Sequence, residues 1–233
     1  MKIFNLNCWL LPPPLSTDNS KRLSQIISLI KNTEPDIISL QEVWLNKYVN
    51  TLKKELKNYF FISSEKTPYN KSGLVTGLLT NKPSRQYFFP TNRAYSLVEK
   101  IARKGFQVIQ LSKDIHFVNT HLYAPKNNRE KEITKSQFIL LQGVIGSEKC
   151  ILSGDLNLNE EELIKANNIF SLTKKTINLP ANQYQKSRLN KRFKYDNTDY
   201  VLKTKTFKTP ISTTYLKSPI LSDHFVIIGK VKL

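Results

Sequence analysis

Short apolar segments recur along the whole chain, and most of them have the length and boundaries of buried β-strands. Lys2 to Cys8, Asp36 to Gln41 and Gly73 to Thr80 each end at polar or turn-forming residues, which is typical of strands. Gly105 to Leu111 and Ile115 to His121 are separated by three polar residues only, and this spacing predicts a hairpin. Further strands are predicted at 59–63, 150–155, 198–202, 212–215 and 225–231.

Several segments between these strands have apolar residues at helical spacing. The apolar residues of 23–30 recur at three- and four-residue spacing, which predicts an amphipathic helix capped by Thr17 or Asp18. Further helices are predicted near 45–56, 128–145 and 160–168. Strands outnumber helices, so we expect an α+β (α/β) fold, a two-layer β-sandwich flanked by helices. We expect a single domain over residues 1–233, with no internal repeat or interdomain linker.

Polar residues follow the strand that begins at Cys150, in the motif Gly154-Asp155-Leu156-Asn157. On an extended backbone, residues two apart point to the same face. Asp155 and Asn157 would then project together, with Leu156 turned into the core. A carboxylate can hold a metal or orient a water, and an amide can donate to a phosphoryl oxygen. The alternative is a strand end that runs into an Asx turn.

Other polar residues stand at predicted strand ends. Glu42 follows a buried strand directly, so its carboxylate is either a charge at a helix N-terminus or a metal ligand. Asn7 and His121 are either polar strand ends or site residues. Asp223 and His224 are neighbours, and neighbouring side chains on a strand diverge. A histidine that acts as a base therefore needs a second carboxylate to fix its tautomer.

The charge balance is unusual, because 36 Lys and Arg oppose 18 Asp and Glu, for a formal net charge of +18. This excess favours polyanions as partners, either nucleic acid or an anionic membrane surface, although a Lys-rich composition alone could produce it. The long aperiodic segment 177–197 is either a nucleic-acid-binding loop or a solvated insert. Its basic residues are Lys186, Arg188, Lys191, Arg192 and Lys194, interleaved with Tyr184, Phe193 and Tyr195.

Three classes of structure are not expected. No apolar run approaches the roughly 18 residues of a membrane span. Met1 to Leu15 lacks a small-residue cleavage site, so we expect no cleaved signal peptide. Cys8 and Cys150 are the only cysteines and lie in apolar strands, which predicts buried free thiols rather than a disulfide framework.

Six short motifs occur in a fixed order along the chain. They are Asn7-Cys8-Trp9, Gln41-Glu42-Val43-Trp44, Asn119-Thr120-His121-Leu122, Gly154-Asp155-Leu156-Asn157, Asp199-Tyr200-Val201 and Ser222-Asp223-His224-Phe225. This set resembles the endonuclease/exonuclease/phosphatase superfamily, the metal-dependent hydrolases related to pancreatic-type deoxyribonuclease. The first two motifs, together with Arg103-Lys104-Gly105, look most like its neutral sphingomyelinase branch.

The resemblance implies a role for each of these residues. The metal would be Mg²⁺, with Mn²⁺ as an alternative, bound near Glu42, Asn7 and Asp223. The catalytic residues would be His121, Asp155, Asn157, Asp199 and His224. Within this set, Asp199 would orient His224, and the latter would handle the attacking water together with Asp155. Relatives often supply an acidic partner for His121; Glu99 is the only acid between Gly77 and Gly105, and its local sequence does not identify it as the match.

The expected activity is hydrolysis of a phosphodiester by a monomer. A sphingomyelinase-like phospholipid substrate is the first expectation, and a nuclease on the same centre is the alternative. An inositol-phosphate phosphatase and a binding module without turnover are further alternatives. No aromatic membrane-inserting hairpin is evident in the sequence, which weakens the lipid hypothesis.

Overall fold

The computed structural model describes residues 1–64, 69–91, 95, 97–172 and 198–232. Its helices are α1 (Asn19–Thr33), α2 (Asn46–Glu55), α3 (Leu97–Ala102), α4 (Asn128–Ile145) and α5 (Glu160–Ala166). Its strands are β1 (Lys2–Leu10), β2 (Ile37–Val43), β3 (Phe60–Ser63), β4 (Val75–Leu78), β5 (Ser84–Phe88), β6 (Gly105–Ser112), β7 (Ile115–His121), β8 (Lys149–Asp155), β9 (Phe170–Ser171), β10 (Asp199–Thr204), β11 (Ile211–Leu216) and β12 (Val226–Val231).

These strands form two six-stranded sheets, in the orders β11-β12-β1-β2-β4-β3 and β5-β6-β7-β8-β10-β9. Each sheet is mixed, with one parallel pair at its centre, β1–β2 in the first and β7–β8 in the second. The predicted two-layer sandwich with flanking helices is confirmed. The predicted hairpin of β6 and β7 is also present, because the two strands pair antiparallel.

Each sheet packs its outer face against helices. Leu6 and Cys8 of β1 share a buried cluster with the apolar stripe of α1, so the helical periodicity of that segment follows from this contact. Val118 and Leu152, on the outer face of the second sheet, share another cluster with the buried face of α4. Cys8 and Cys150 are both buried free thiols, as predicted. Among the helices of the described residues, none combines the length and hydrophobicity that crossing a membrane requires.

The space between the sheets changes from apolar to polar along the strands. At one end it is filled by Ile3, Ile37, Phe117 and Ile151. Two residues further along each of these strands, the inward side chains are Asn5, Ser39, Asn119 and Ser153, all buried. These amides and hydroxyls bond across the gap: Gln41 Nε2 donates to Asn119 Oδ1 at 2.9 Å, and Ser153 Oγ donates to Asn5 Oδ1 at 2.9 Å. The next inward residues on β1, β7 and β8 are Asn7, His121 and Asp155.

Some elements differ from the sequence predictions. The segment predicted as one strand from Gly73 to Thr80 is instead a 3-10 turn at Lys71–Gly73 followed by the short β4. A left-handed backbone at Gly73, with φ of 66°, interrupts the extended run there. Asp18 is the residue before α1, but it is left-handed and its side chain makes no capping bond. The short elements β5, α3 and β9 were not predicted. The basic segment 186–194 lies outside the described residues.

Candidate active site

The carboxyl ends of both parallel strand pairs meet at one end of the sandwich, and the polar strand-end residues converge there. Asn7 lies beside Gln41 in the β1–β2 register, and His121 lies beside Asp155 in the β7–β8 register. Asp199 pairs with Asp155 where β10 begins. The chain therefore delivers residues from both sheets to one location.

Asn7 links the two sheets at this end. Its Nδ2 donates to Asp155 Oδ2 at 2.9 Å and lies 3.3 Å from Glu42 Oε1. Its Oδ1 accepts a hydrogen bond from the backbone N–H of Trp9 at 3.2 Å, which fixes which amide atom faces the carboxylates. Asn7 therefore presents a nitrogen, not an oxygen, toward Glu42 and Asp155. In this arrangement it bridges the two carboxylates and does not offer its oxygen to a metal.

Glu42 reaches the site because the backbone turns at the end of β2. Gln41 points between the sheets, where its Nε2 bonds Asn5 and Asn119, so regular alternation would direct Glu42 to the other face. Glu42 instead has a left-handed φ of 56°, a conformation that costs a residue with a Cβ about 1–3 kcal/mol and clusters at functional sites. The turn brings its carboxylate next to Asn7.

Asp155 is the centre of the cluster. Its Oδ2 accepts from Asn7 and lies 3.6 Å from His121 Nε2 and 3.8 Å from His224 Nε2. Its Oδ1 accepts from the backbone N–H of Asn157 at 2.9 Å. The expectation that both side chains project from one extended strand is wrong, since β8 ends at Asp155 and Asn157 is left-handed with φ of 49°. The Asx turn is present, and Asn157 Nδ2 donates to Leu122 O at 3.0 Å.

The backbone at Gly154 requires a residue without a side chain. Its φ is 149°, and a Cβ at this position would overlap the carbonyl oxygen of Thr120 on the neighbouring strand. Only glycine fits a positive φ with so close an approach between backbones. The close contact of β7 and β8 next to Asp155 therefore depends on the missing side chain.

His224 forms the dyad that the resemblance implied. Its Nδ1 lies 2.6 Å from Asp199 Oδ2. Ser222 Oγ accepts from the His224 backbone N–H at 3.2 Å and donates to Asp223 Oδ1 at 3.1 Å. Burial opposes protonation of His224, but the nearby carboxylates of Asp199, Asp223 and Asp155 together raise its pKa well above the ordinary value.

His121 stands in different surroundings. Its side chain is 1% exposed, and its Nε2 faces Glu42 Oε1 at 3.8 Å and Asp155 Oδ2 at 3.6 Å. Its Nδ1 is buried without a hydrogen-bond partner in the structure as described. Burial, followed by the positive charge of Lys104, lowers its pKa well below the ordinary value. The carboxylate of Glu99 forms an ion pair with Lys104 at 3.1 Å.

The carboxylates fit a divalent cation. Glu42 Oε2 is buried without a hydrogen-bond partner among the described residues, and burial together with the charge of Asp223 raises the Glu42 pKa. A cation would relieve both conditions, because it supplies the missing partner and favours the ionised carboxylate. Oxygen ligands suit Mg²⁺ or Mn²⁺. One ligand atom each from Asp155, Asp199 and His224 also lie within 4.8 Å of one another, but Asp199 already accepts from His224. Glu42 is therefore the better candidate for a metal ligand.

All eight predicted site residues lie at this end of the molecule, where the structure also places two buried cations to which the sequence analysis gave no role. Lys104 is buried beside the site, and its Nζ donates to Leu122 O at 3.0 Å. Its only sequence signal was its place in the motif Arg103-Lys104-Gly105. Arg22 is also buried, on the apolar face of α1, and a charged residue within an apolar stripe could have drawn attention to it.

Comparisons with known proteins agree with this architecture. A curated relative from Caenorhabditis elegans, named "Putative neutral sphingomyelinase", is 27% identical over 186 residues, which cover 70% of this chain and 42% of the relative. The chain thus spans less than half the length of that relative. Beta toxin from Staphylococcus aureus, solved with bound magnesium ions, superposes with a TM-score of 0.79 at 18% identity, covering 99% of each chain.

TDP2 from D. rerio, solved with a single-strand DNA product, superposes with a TM-score of 0.74 at 19% identity, covering 100% of this chain and 99% of the other. At these identities the solved structures show a shared fold. The sequence model described as the Endonuclease/Exonuclease/phosphatase family matches residues 4–224, nearly the whole chain. The chain therefore belongs to the Endonuclease/Exonuclease/phosphatase family.

Proposed function

We propose that this chain is a divalent-metal-dependent phosphodiester hydrolase. The observation that carries the proposal is the cluster at the polar end of the sandwich, where Asp155 lies within 4 Å of two imidazoles and of the amide that reaches Glu42. Carboxylates and imidazoles in this arrangement are suited to activating water and to stabilising charge on a phosphoryl group.

Glu42 would hold the metal, with Asp223 contributing to the same negative environment. When bound, the metal would supply positive charge to a phosphoryl oxygen. Asn7 would act as a clamp that keeps the Glu42 and Asp155 carboxylates at a fixed separation. The preference would be for Mg²⁺ or Mn²⁺ over Zn²⁺, because the available donors are chiefly oxygens.

Asp155 would orient the attacking water, since its two oxygens are held by Asn7 and by the backbone of Asn157. Asp155 would accept the proton of that water as its oxygen attacks phosphorus. His224, held by Asp199, would enter the reaction protonated and would give its proton to the leaving oxygen as the P–O bond breaks. His121 would donate from Nε2 to a phosphoryl oxygen. Asn157 uses one amide proton on Leu122 O and would offer its second to the substrate.

We propose a choline-type phospholipid as the substrate class. The sequence relative named as a neutral sphingomyelinase and the branch-like motifs around the site support this choice. A nuclease is the second candidate. It is favoured by the net charge of +18 and by the fold shared with TDP2, whose structure holds single-strand DNA.

The test is a panel assay of the purified chain on sphingomyelin vesicles, plasmid DNA, RNA and phosphoinositides. Each substrate would be measured with Mg²⁺, Mn²⁺, Zn²⁺ and excess chelator. We expect Mg²⁺-dependent release of a phosphorylated head group from sphingomyelin. Excess chelator should abolish this activity, and so should the isosteric substitution Asp155→Asn, which removes the carboxylate charge. Undiminished hydrolysis in chelator would contradict metal dependence. Nuclease activity that falls steeply with salt, without lipid hydrolysis, would show that the substrate is nucleic acid and not a phospholipid.

A further inference from the structure

Arg22 is a charged residue in the first turn of α1, on the face that the helix buries. It is 0% exposed and lies among Leu23, Ile26 and Ile27, which face the first sheet. A guanidinium in such a place is costly unless its donors are paired. Its surroundings therefore have to supply acceptors, and they do so from the active-site end of the molecule.

The guanidinium carries five N–H donors in a fixed planar fork, and five acceptors surround it. Arg22 Nε donates to Thr17 O at 2.9 Å. Its Nη1 donates to Cys8 O at 2.7 Å and to Leu221 O at 3.1 Å. Its Nη2 donates to Trp9 O and to Asn19 Oδ1, both at 2.7 Å. The guanidinium carbon also lies 5.0 Å from the centre of the Trp9 ring. One side chain thus joins three separated segments.

The first of these segments leads directly to the carboxylates. Trp9 is left-handed, with φ of 48°, and Arg22 holds both its carbonyl and its ring. The Trp9 backbone N–H in turn donates to Asn7 Oδ1, and this bond sets which face of the amide meets Glu42 and Asp155. A continuous path of hydrogen bonds therefore runs from Arg22 to the bridging amide.

The second segment leads to the imidazole dyad. Leu221 O accepts from Arg22 Nη1, and the next residue, Ser222, bonds both Asp223 and the backbone of His224. The guanidinium therefore holds the end of β1 and the segment before β12 against each other. The first of these segments carries Asn7, and the second carries Asp223 and His224.

We propose that Arg22 is a positioning residue of the active site, which fixes the Asn7 amide and the segment before β12 in one geometry. The inference rests on the metal site proposed above. Lysine could not replace it, because an ammonium has three donors and no planar fork. The positive charge would be retained, but the bonds to Cys8 O, Trp9 O and Leu221 O could not all be kept.

The experiment measures Mg²⁺ binding by isothermal titration calorimetry, alongside hydrolysis, in Arg22→Lys. We expect Mg²⁺ affinity to fall about tenfold or more, as for residues that orient metal ligands. Gln142→Leu is the matched control, because Gln142 is also buried and bonds three backbone groups, but at the α4–α5 contact. The control should lose stability and keep the wild-type Mg²⁺ affinity.

A double-mutant cycle separates positioning from general destabilisation. If Arg22 acts through Asn7, Arg22→Lys should cost less than about threefold in Mg²⁺ affinity when Asn7→Ala is already present, because coupled residues are non-additive. Equal losses in both backgrounds would overturn the inference. So would a wild-type affinity in Arg22→Lys, or a Gln142→Leu affinity that falls as far.

A second variant covers the case in which Arg22→Lys does not fold. Trp9→Leu removes the ring beneath the guanidinium and keeps every carbonyl acceptor, and it should weaken Mg²⁺ binding severalfold; unchanged binding would contradict the proposal. A wild-type chain that neither binds Mg²⁺ nor hydrolyses a phosphodiester would instead refute the proposed function. Wild-type binding and hydrolysis with unaffected variants would refute the role of Arg22 alone.

Discussion

The regions around His121 and His224 place the same kind of side chain, an imidazole, in opposite electrostatic environments. His224 lies 2.6 Å from the Asp199 carboxylate, and surrounding carboxylates raise its pKa against the effect of burial. Among the described residues, the carboxylate oxygen nearest to His121 Nε2 is Asp155 Oδ2 at 3.6 Å, and burial with the charge of Lys104 lowers the His121 pKa. The surroundings of His224 therefore favour the charged imidazole, and those of His121 favour the neutral one.

This difference in pKa suits the two histidines to different chemical roles at one phosphoryl group. Groups whose environments drive their pKa values apart are suited to different steps of acid–base chemistry. The charged His224 can stabilise developing negative charge or give up a proton. The neutral His121 can donate one hydrogen bond without carrying charge into the buried end of the sandwich. Asp155 lies at nearly equal distance from both, 3.6 Å and 3.8 Å, so the two roles converge on one carboxylate.

The largest expected effect comes from removing each imidazole in turn. We expect His224→Ala to lower kcat by roughly 10³-fold or more, in the range of combined acid–base and electrostatic catalysis. His121→Ala should cost about 10²-fold, since a single donor to a phosphoryl oxygen is lost. Steady-state kinetics on the substrate found in the panel assay would measure both.

Asp199→Ala provides the control for this experiment. Added to His224→Ala, it should cost little more, because residues that act as a unit are strongly non-additive. A loss of only about twofold in His224→Ala, or a larger loss in His121→Ala, would remove the distinction between the two histidines.

The next effect concerns the strand contact that places Asp155 between them. Gly154→Ala puts a Cβ against Thr120 O at a φ of 149°, so we expect a loss of at least about 1–3 kcal/mol in the free energy of unfolding from backbone strain alone. Gly143→Ala is the matched control, since nothing lies within 4 Å of its added Cβ. Gly143 lies in the last turn of α4, so this substitution should stabilise by up to about 0.5–1 kcal/mol. Urea denaturation measures both, and a stable Gly154→Ala would contradict the strand contact described here.

Long and periodic elements could be predicted from the sequence. The bounds of α4, Asn128–Ile145, match the prediction because an apolar stripe marks the helix and Asn127 caps its start. The Asn127 side chain accepts a hydrogen bond from the Glu130 backbone N–H. Motif residues could also be placed at strand ends. The helix α3 was missed because its six residues are too few to show a helical period. The strand β5 was missed because it begins with three polar residues, Ser84, Arg85 and Gln86.

The details that the sequence did not predict are set by contacts between distant segments. The φ of Glu42 and the orientation of the Asn7 amide were not predicted, whereas the Asx turn at Asn157, a local contact with Asp155, was one of the two alternatives. The amide orientation, for example, follows from the left-handed turn at Trp9 and from Arg22, which is 13 residues further along the chain. Alternation along a strand alone would have assigned Glu42 to the other face.

The smallest effect, and the most direct test of the comparison, is the protonation state of each imidazole in the chelator-treated protein. The His224 pKa is raised on folding, so its contribution to stability is present below the ordinary value of 6.5 and is lost as pH rises through the folded pKa. The His121 pKa is lowered, so folding is unaffected by it above 6.5 and is increasingly opposed as pH falls below that value. Imidazole NMR titration should show a protonated His224 and a neutral His121 at pH 7.

Removing one cause of the His121 shift should bring the two imidazoles closer together. The double variant Lys104→Met with Glu99→Gln removes the buried ion pair without leaving either charge alone, so the His121 pKa should rise, yet stay below its ordinary value because burial remains. Lys131→Met with Glu162→Gln removes a comparable pair, at 2.6 Å between α4 and α5, and should leave His121 unchanged. A His121 that is already charged at pH 7 in the wild type, or that titrates alike in both double variants, would mean that Lys104 does not set its protonation state.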